Sequence, residues 1–293
     1  MNPFVKKSAN TLLVGVSEAL RSLAGLLEIV AVQIDLKRTA AFELENRPDD
    51  IFVVTYPRSG TTLMQMMLYQ LTTDGSMDFQ HIGLVVPWYE RRIMSDPKAA
   101  MAYFAAMPSP RVFKSHLSYP DTPKKRGKYI YVMRDGQDVL VSYYHFYCSH
   151  LSFRGTFEQF FADFMAGRVQ YQSWFAHVRG WWLHGQDPDV LFLRYEEIIA
   201  DLGSTIRKVA DFCNLEIPAD RLPIIQERCG FAFMKRHERQ FDHTTGLALD
   251  RGYQLDAFIR KGKKGEGETL LTQAQKAAFE SRVGQELAEI VGK

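Results

Sequence analysis

The stretch Ile51–Thr62, Ile-Phe-Val-Val-Thr-Tyr-Pro-Arg-Ser-Gly-Thr-Thr, constrains this chain more than any other. Val53–Tyr56 reads as a buried parallel strand. Thr61–Leu71 follows at once as a helix with Met and Leu on its inner face. A strand turned so tightly into a helix aims the free N–H groups of the helix start at whatever occupies the turn. Arg58 adds a fixed positive charge, Ser59, Thr61 and Thr62 add hydroxyls, and Gly60 lets the backbone approach a ligand closely. The turn therefore reads as a holder for an oxyanion such as phosphate or sulfate, against the plainer alternative of an ordinary strand–turn–helix corner. Its spacing is not that of the nucleoside-triphosphate loop, Gly-x-x-x-x-Gly-Lys-Ser/Thr, because it has a single glycine and its basic residue comes two positions before it.

The same alternation continues. Short strands are expected at Arg111–Ser115, Lys128–Arg134 and Val190–Arg194. Helices are expected over Val85–Met107 after Pro87, and at Asp135–Ser149, Phe157–Met165, Tyr171–His184, Leu202–Cys213, Ala219–Arg228 and Gln273–Val291. Phe231–Gly267 reads as polar and irregular. Strands alternating with helices over 293 residues imply an α/β fold: a central parallel β-sheet flanked by helices, with ligands beyond the carboxyl ends of the strands. The net charge of +2 supplies no whole-molecule field for nucleic acid. Cys148, Cys213 and Cys229 are odd in number and far apart, which points to free thiols in a reducing, cytoplasmic setting. No metal-ligand spacing occurs among Cys and His, so no metal is expected.

Residues 1–45 form a separate, apolar helical extension. Leu12–Leu36 is interrupted by Glu18, Arg21, Glu28 and Asp35, too many charges for a membrane span or a signal-peptide core. These charges fall on one polar stripe, and the remaining face is wider than one domain surface needs. Packing on its own domain, a homo-oligomer contact and shallow membrane docking are the three readings.

Three later segments carry chemistry. Lys114 and His116 lie just past a strand end, where a neutral His can take a proton from an acceptor hydroxyl. Arg134 closes the next strand, with Ser142 two helical turns on; it is placed either for a phosphate fork or for pairing with Asp135 or Asp138, while Tyr143, Tyr144 and Phe146 read as core. The run Phe258-Ile259-Arg260-Lys261-Gly262-Lys263-Lys264-Gly265 is a solvated loop or a basic flap that closes over an anion.

Together these segments resemble the cytosolic-type sulfotransferase family. Its Thr-Tyr-Pro-Lys-Ser-Gly-Thr-Thr-Trp is similar to Thr55–Leu63, and its Lys-Thr/Ser-His-Leu to Lys114–Leu117. Its Arg-Asn/Asp-x-x-Asp-Val-x-Val-Ser-Tyr-Tyr-His-Phe is similar to Arg134–Phe146, its Tyr-Glu-Asp/Glu to Tyr195–Glu197, and its Arg-Lys-Gly to Arg260–Gly262. The resemblance spans Ile51 to Gly265 and implies one sulfotransferase domain over 46–293. It implies 3′-phosphoadenosine 5′-phosphosulfate as donor, used without a metal, and a hydroxyl or amine acceptor. By that similarity Arg58, Ser59, Gly60, Thr61 and Thr62 hold the 5′-phosphosulfate. Arg134, Ser142, Arg260, Lys261 and Gly262 hold the 3′-phosphate, and Tyr195 and Phe231 contact adenine. Lys114 and His116 flank the reacting sulfur, with His116 as base, and Arg58 stabilises the leaving oxygen. Val86–Glu90 is similar to the family's acceptor border, and Trp88, Tyr89, Tyr147 and His150 are the candidate lining of a pocket for a small, apolar acceptor. The chain departs from the pattern in several places, among them Gly265-Glu266-Gly267, where the family tends to have Gly-Asp-Trp. Arg58 replaces Lys, Leu63 replaces Trp, and Glu268, Gln273 and Ala277 do not fit the family's dimer motif, where only Thr272 does. The competing reading is a module that binds the donor, or its spent product 3′-phosphoadenosine 5′-phosphate, without turnover.

Overall fold

Side chains alternate along the strands in a way that accounts for the layers. Ile51 and Val53 join one buried cluster and Phe52 and Val54 the other, the two-residue period of a strand covered on both faces. In the computed structural model the described residues are 16, 20, 23, 27, 30–34, 37, 45–123, 126–151, 153–242, 259, 262 and 265–288. They contain a four-stranded sheet, β1 (Ile51–Thr55), β2 (Val112–Ser115), β3 (Lys128–Met133) and β4 (Val190–Arg194), in the order β2-β1-β3-β4. Every pairing is parallel, with Val54 level with Ser115 and Thr55 level with Val132. The expected single α/β domain around a central parallel sheet is what the chain forms.

One layer packs Met64, Met67 and Leu68 of α1 (Thr61–Thr72) against Ile51, Val53, Ile130 and Val132. The other packs aromatic side chains, Trp181, Phe175 and Phe164 among them, against Phe52, Tyr129 and Tyr131. In this order the chain leaves β1 toward one edge and β3 toward the other, so a crevice opens between their carboxyl ends.

The helices sit close to where periodicity puts them, apart from an additional short helix at Tyr195–Ala200 and two further differences. Val85–Met107 is two helices, α2 (Tyr89–Ser95) and α3 (Pro97–Ala106), because Pro97 has no N–H and disfavours a helical residue before it. Asp96 caps α3 by accepting from Ala99 N at 2.9 Å. Within the region expected to be irregular, Phe231–Arg236 and Glu266–Leu270 are helical, the first docked through buried Met234. The helix α4 (Gly136–His150) carries Asp135 as its cap. At the N-terminal end, residues 16, 20, 23, 27, 30–34 and 37 are helical, whereas Glu18, Arg21, Glu28 and Asp35 lie outside the described residues. No helix among the described residues is long and apolar enough to cross a membrane.

The base of β1 is tied to β2 by a buried ion pair. Arg111 Nε donates to Asp50 Oδ1 at 2.7 Å, and the two side chains are 2% and 0% exposed. Arg111 also donates to the carbonyls of Phe104 and Glu45. Removing one partner strands a buried charge. Asp50→Ala is therefore expected to lower unfolding free energy by about 3–5 kcal/mol in urea denaturation; a loss below about 1 kcal/mol, the scale of an exposed pair, contradicts this account.

Candidate active site

The corner after β1 is shaped by two residues in the left-handed region, Arg58 at φ 70° and Gly60 at φ 96°. A β-carbon on Gly60 would lie 2.6 Å from the Tyr195 ring, so glycine is needed for both conformation and space. Gly60 precedes α1 without a side-chain cap, and no acidic residue stands in the first turn, so the positive helix end is left to a ligand. Gly60, Thr61 and Thr62 line a cavity of about 850 Å³. Ser59 lies beneath the turn, fully buried, its Oγ without a hydrogen-bond partner among the described residues.

His116 enters this cavity from the end of β2. Its Nδ1 is 2.8 Å from the Thr55 carbonyl. A carbonyl only accepts, so Nδ1 carries the proton and Nε2 keeps its lone pair. Burial, then the Lys114 charge, holds the His116 pKa well below its ordinary 6.5, so the ring is neutral at neutral pH. The backbone around it is also fixed. His116 N donates to Glu90 Oε1 at 2.8 Å, and His177 Nε2 donates to the His116 carbonyl at 3.1 Å. His177 itself is buried, which lowers its pKa to about 4, and Nδ1 accepts from Tyr131 Oη at 2.9 Å.

Lys114 stands two residues before His116 and lines the same cavity. Its Nζ is 3.7 Å from the Trp88 ring centroid, a cation–π contact. Burial lowers its pKa to about 7 against the opposing pull of Glu90, with Arg91 and Arg58 pushing the same way as burial. Lys114 therefore carries its full charge only below about 7 and loses it as pH rises.

Across the crevice, Arg134 Nη1 donates to the Arg58 carbonyl at 3.1 Å, and Arg58 Nε donates to Ser142 Oγ at 3.2 Å. The β1 and β3 corners are thus joined by their own cations. Asp138, the expected alternative partner of Arg134, lies 3.8 Å from Nη2 but spends its carboxylate on the N–H groups of Gly265 and Gly267, each at 2.9 Å. That anchors the segment following the basic run beside the site. Arg134, Ser142, Tyr195, Phe231 and Gly262 all line the cavity. A β-carbon on Gly262 would meet the Phe231 ring. Leu63 also lines it, and Arg260 and Lys261 lie outside the described residues.

The acceptor end departs further from expectation. Trp88 is on the wall. Tyr89 is not: it is 1% exposed and packs on Phe52, Phe104 and Phe113, because it opens α2 with its ring toward the sheet. Tyr147 lies about 100° round α4 from Phe146; it is buried among Tyr143 and Phe160, its Oη accepting from Gln170 N. His150 stacks on Phe146 and bonds Asp242 Oδ2 at 3.1 Å, so Phe146 and Asp242 reach the cavity in its place. Phe146 and Tyr143, read as core, line the cavity, whereas Tyr144 packs against Phe157 and Phe160.

Sequence reasoning passed over Tyr171 altogether. Its ring centroid is 5.1 Å from that of His116 and lies 6.4 Å from Trp88, nearly parallel to it at 23°. It reaches there from a loop residue at φ 64°, a tertiary placement with no local sequence signal. Glu90 was visible in the sequence, but its bonding role was not. One of its buried oxygens accepts from both Trp88 Nε1 at 2.6 Å and His116 N.

If Glu90 supports the Lys114 charge, Glu90→Gln should move the Lys114 titration further below 7. NMR of 13C-labelled lysine in the donor-free protein measures this directly; an unmoved or raised Lys114 pKa contradicts the assignment.

Comparison with known proteins identifies the family. The sulfotransferase domain family model matches residues 48–291. The chain is 33% identical to sulfotransferase 1A1 of Bos taurus, over 82% of this chain and 84% of that one. It is 34% identical to sulfotransferase 1C2 of Homo sapiens, over 80% and 82%. The structure of mouse sulfotransferase SULT7A1 complexed with PAP superposes with a TM-score of 0.66 at 25% identity, covering 86% of this chain and 88% of that one. With the family model covering most of the chain and relatives above 30% identity over more than four fifths of their length, the protein belongs to the sulfotransferase family.

Proposed function

We propose that this enzyme moves a sulfuryl group from 3′-phosphoadenosine 5′-phosphosulfate to a hydroxyl or amine of a small, apolar acceptor, with His116 as general base. The observation that carries the reading is the His116 ring, held by Nδ1–H on the Thr55 carbonyl, in one cavity with the β1 corner, Lys114 and Arg134. The mouse relative was solved with the spent nucleotide, and another relative, 32% identical, is an amine sulfotransferase of Oryctolagus cuniculus.

The residues present suit such a donor. The uncapped start of α1 and the bare Gly60 backbone form a cradle for an anionic group, with the Ser59 hydroxyl buried beneath it. Arg58, Ser59, Gly60, Thr61 and Thr62 are assigned to the 5′-phosphosulfate, and Arg134, Ser142 and Gly262, with Arg260 and Lys261, to the 3′-phosphate. Tyr195 and Phe231 are assigned to the adenine. When bound, the donor supplies an activated sulfuryl group, with negative charge growing on the bridging oxygen as its bond breaks. Arg58 and Lys114 stabilise that charge from fixed positions, and His116 Nε2 receives the acceptor proton. Trp88 and Tyr171 hold the acceptor beside the imidazole, in a largely apolar recess that includes Phe146, Met94 and Leu151. Residues 46–293 are assigned to this domain and 1–45 to the extension.

Sulfate labelling tests the reading. Purified protein with 35S-labelled donor and a panel of phenols, alcohols and amines should label an apolar member. His116→Ala should lose about a hundredfold or more of that rate while binding of 3′-phosphoadenosine 5′-phosphate stays within about threefold. Nucleotide binding without transfer to any acceptor points instead to a binding module. Full activity in His116→Ala removes the base from its role.

A further inference from the structure

Among the described residues, the Arg and Lys side chains on the cavity wall are Arg58, Arg91, Lys114 and Arg134. Arg58, Lys114 and Arg134 are assigned to the donor, and Arg91 has no part in that assignment. Its place follows from helix phase. In α2 (Tyr89–Ser95), Tyr89, Glu90 and Ile93 are buried, whereas Arg91 and Met94, three residues apart, share the cavity face. The Arg91 guanidinium carbon lies 5.2 Å from the Trp88 ring centroid, and His116 meets the same indole at 5.1 Å, ring to ring. Tyr171 flanks both rings. Arg91 is therefore at the acceptor end, one indole away from the imidazole.

Among the described residues no carboxylate pairs with Arg91. Its neighbour Glu90 is buried and spends one oxygen on Trp88 Nε1 and His116 N. Asp242, also on the wall, is bonded to His150, and Glu266 belongs to the segment that Asp138 anchors beside Arg134. The Arg91 charge nonetheless reaches into the site. Burial does most to lower the Lys114 pKa and Glu90 opposes it, and Arg91 adds to the lowering more than Arg58 does.

We propose that Arg91 binds an anionic group of the acceptor, a carboxylate on an apolar body whose hydroxyl or amine faces His116. This names the acceptor class of the reaction proposed above and rests on that reading. Trp88, Tyr171 and Met94 take the apolar body, and the guanidinium fork takes the carboxylate. Because Arg91 is exposed, the pair keeps part of its hydration and avoids the desolvation cost of a buried one.

Calorimetry on the full chain saturated with 3′-phosphoadenosine 5′-phosphate tests this, using para-hydroxyphenylpropanoate, its neutral amide and tyramine. The wild type should bind the carboxylate about fivefold tighter than the amide, a margin that shrinks with added salt. Arg91→Gln should abolish the margin while affinity for the nucleotide alone stays within about threefold, since the substitution removes no donor contact. Arg91→Glu should reverse the preference in favour of tyramine. A wild type without the preference overturns the proposal, as does an Arg91→Gln variant that keeps it. A variant that loses the nucleotide as much as the carboxylate assigns Arg91 to the donor and overturns it too. Transfer is read separately with 35S-labelled donor. Preference for the carboxylate without any transfer supports Arg91 and refutes the transfer reading, and transfer without that preference does the reverse.

Discussion

The parallel register of β1 with β2 and β3 is the constraint on which the site depends. Because Val54 is level with Ser115 and Thr55 with Val132, the three strands end at one edge. The residues that follow them, Tyr56–Gly60, His116 and Arg134, become neighbours although they are far apart in the chain. The short bonds then follow from the register: His116 to the Thr55 carbonyl, and Arg134 to the Arg58 carbonyl. An order that switches direction between β1 and β3 leaves their ends open, and the cavity forms there.

Within that crevice three cationic side chains stand together, as the proposed anionic donor requires. Arg58, Lys114 and Arg134 share one cavity, and Asp138, the nearest acid to Arg134, is committed to the backbone of Gly265 and Gly267. Burial lowers the Lys114 pKa to about 7, with Arg91 and Arg58 adding to the shift and Glu90 opposing it. An anionic group placed beside these cations would favour the charged lysine. Groups already oriented need no rearrangement as charge develops, which is how fixed cations accelerate a transfer. His116 is neutral for a related reason: burial, and then the Lys114 charge, discourages its protonation and so keeps its lone pair available at neutral pH.

Much of this was legible in the sequence wherever the signal was local. The β1 corner, the strands and most helices follow from β-branched runs and apolar spacing, and Arg58, Gly60, Lys114, His116, Arg134 and Ser142 lie close to strand ends or one helix face. The acceptor wall was less legible because helix phase and tertiary docking decide it. Tyr89 and Tyr147 have suitable chemistry but turn into the core, while Phe146, one step from Tyr147, turns out. Tyr171 depends on a left-handed loop residue and on a neighbour 55 positions away, so no window of sequence contains it. Glu90 is a similar case: its residue type was visible, but its bonds to Trp88 and His116 form only once β2 lies beside Pro87.

The central claim is that one anionic nucleotide is gripped by the corner after β1 and by Arg134 together. Calorimetric titration with 3′-phosphoadenosine 5′-phosphate tests it most directly, comparing wild type with Gly60→Ala and Arg134→Ala. One site per chain is expected, with binding weakened about tenfold or more by either substitution, since one puts a methyl group against the Tyr195 ring at a left-handed position and the other removes a charged donor. Undiminished affinity in both variants would place the nucleotide elsewhere and contradict the account.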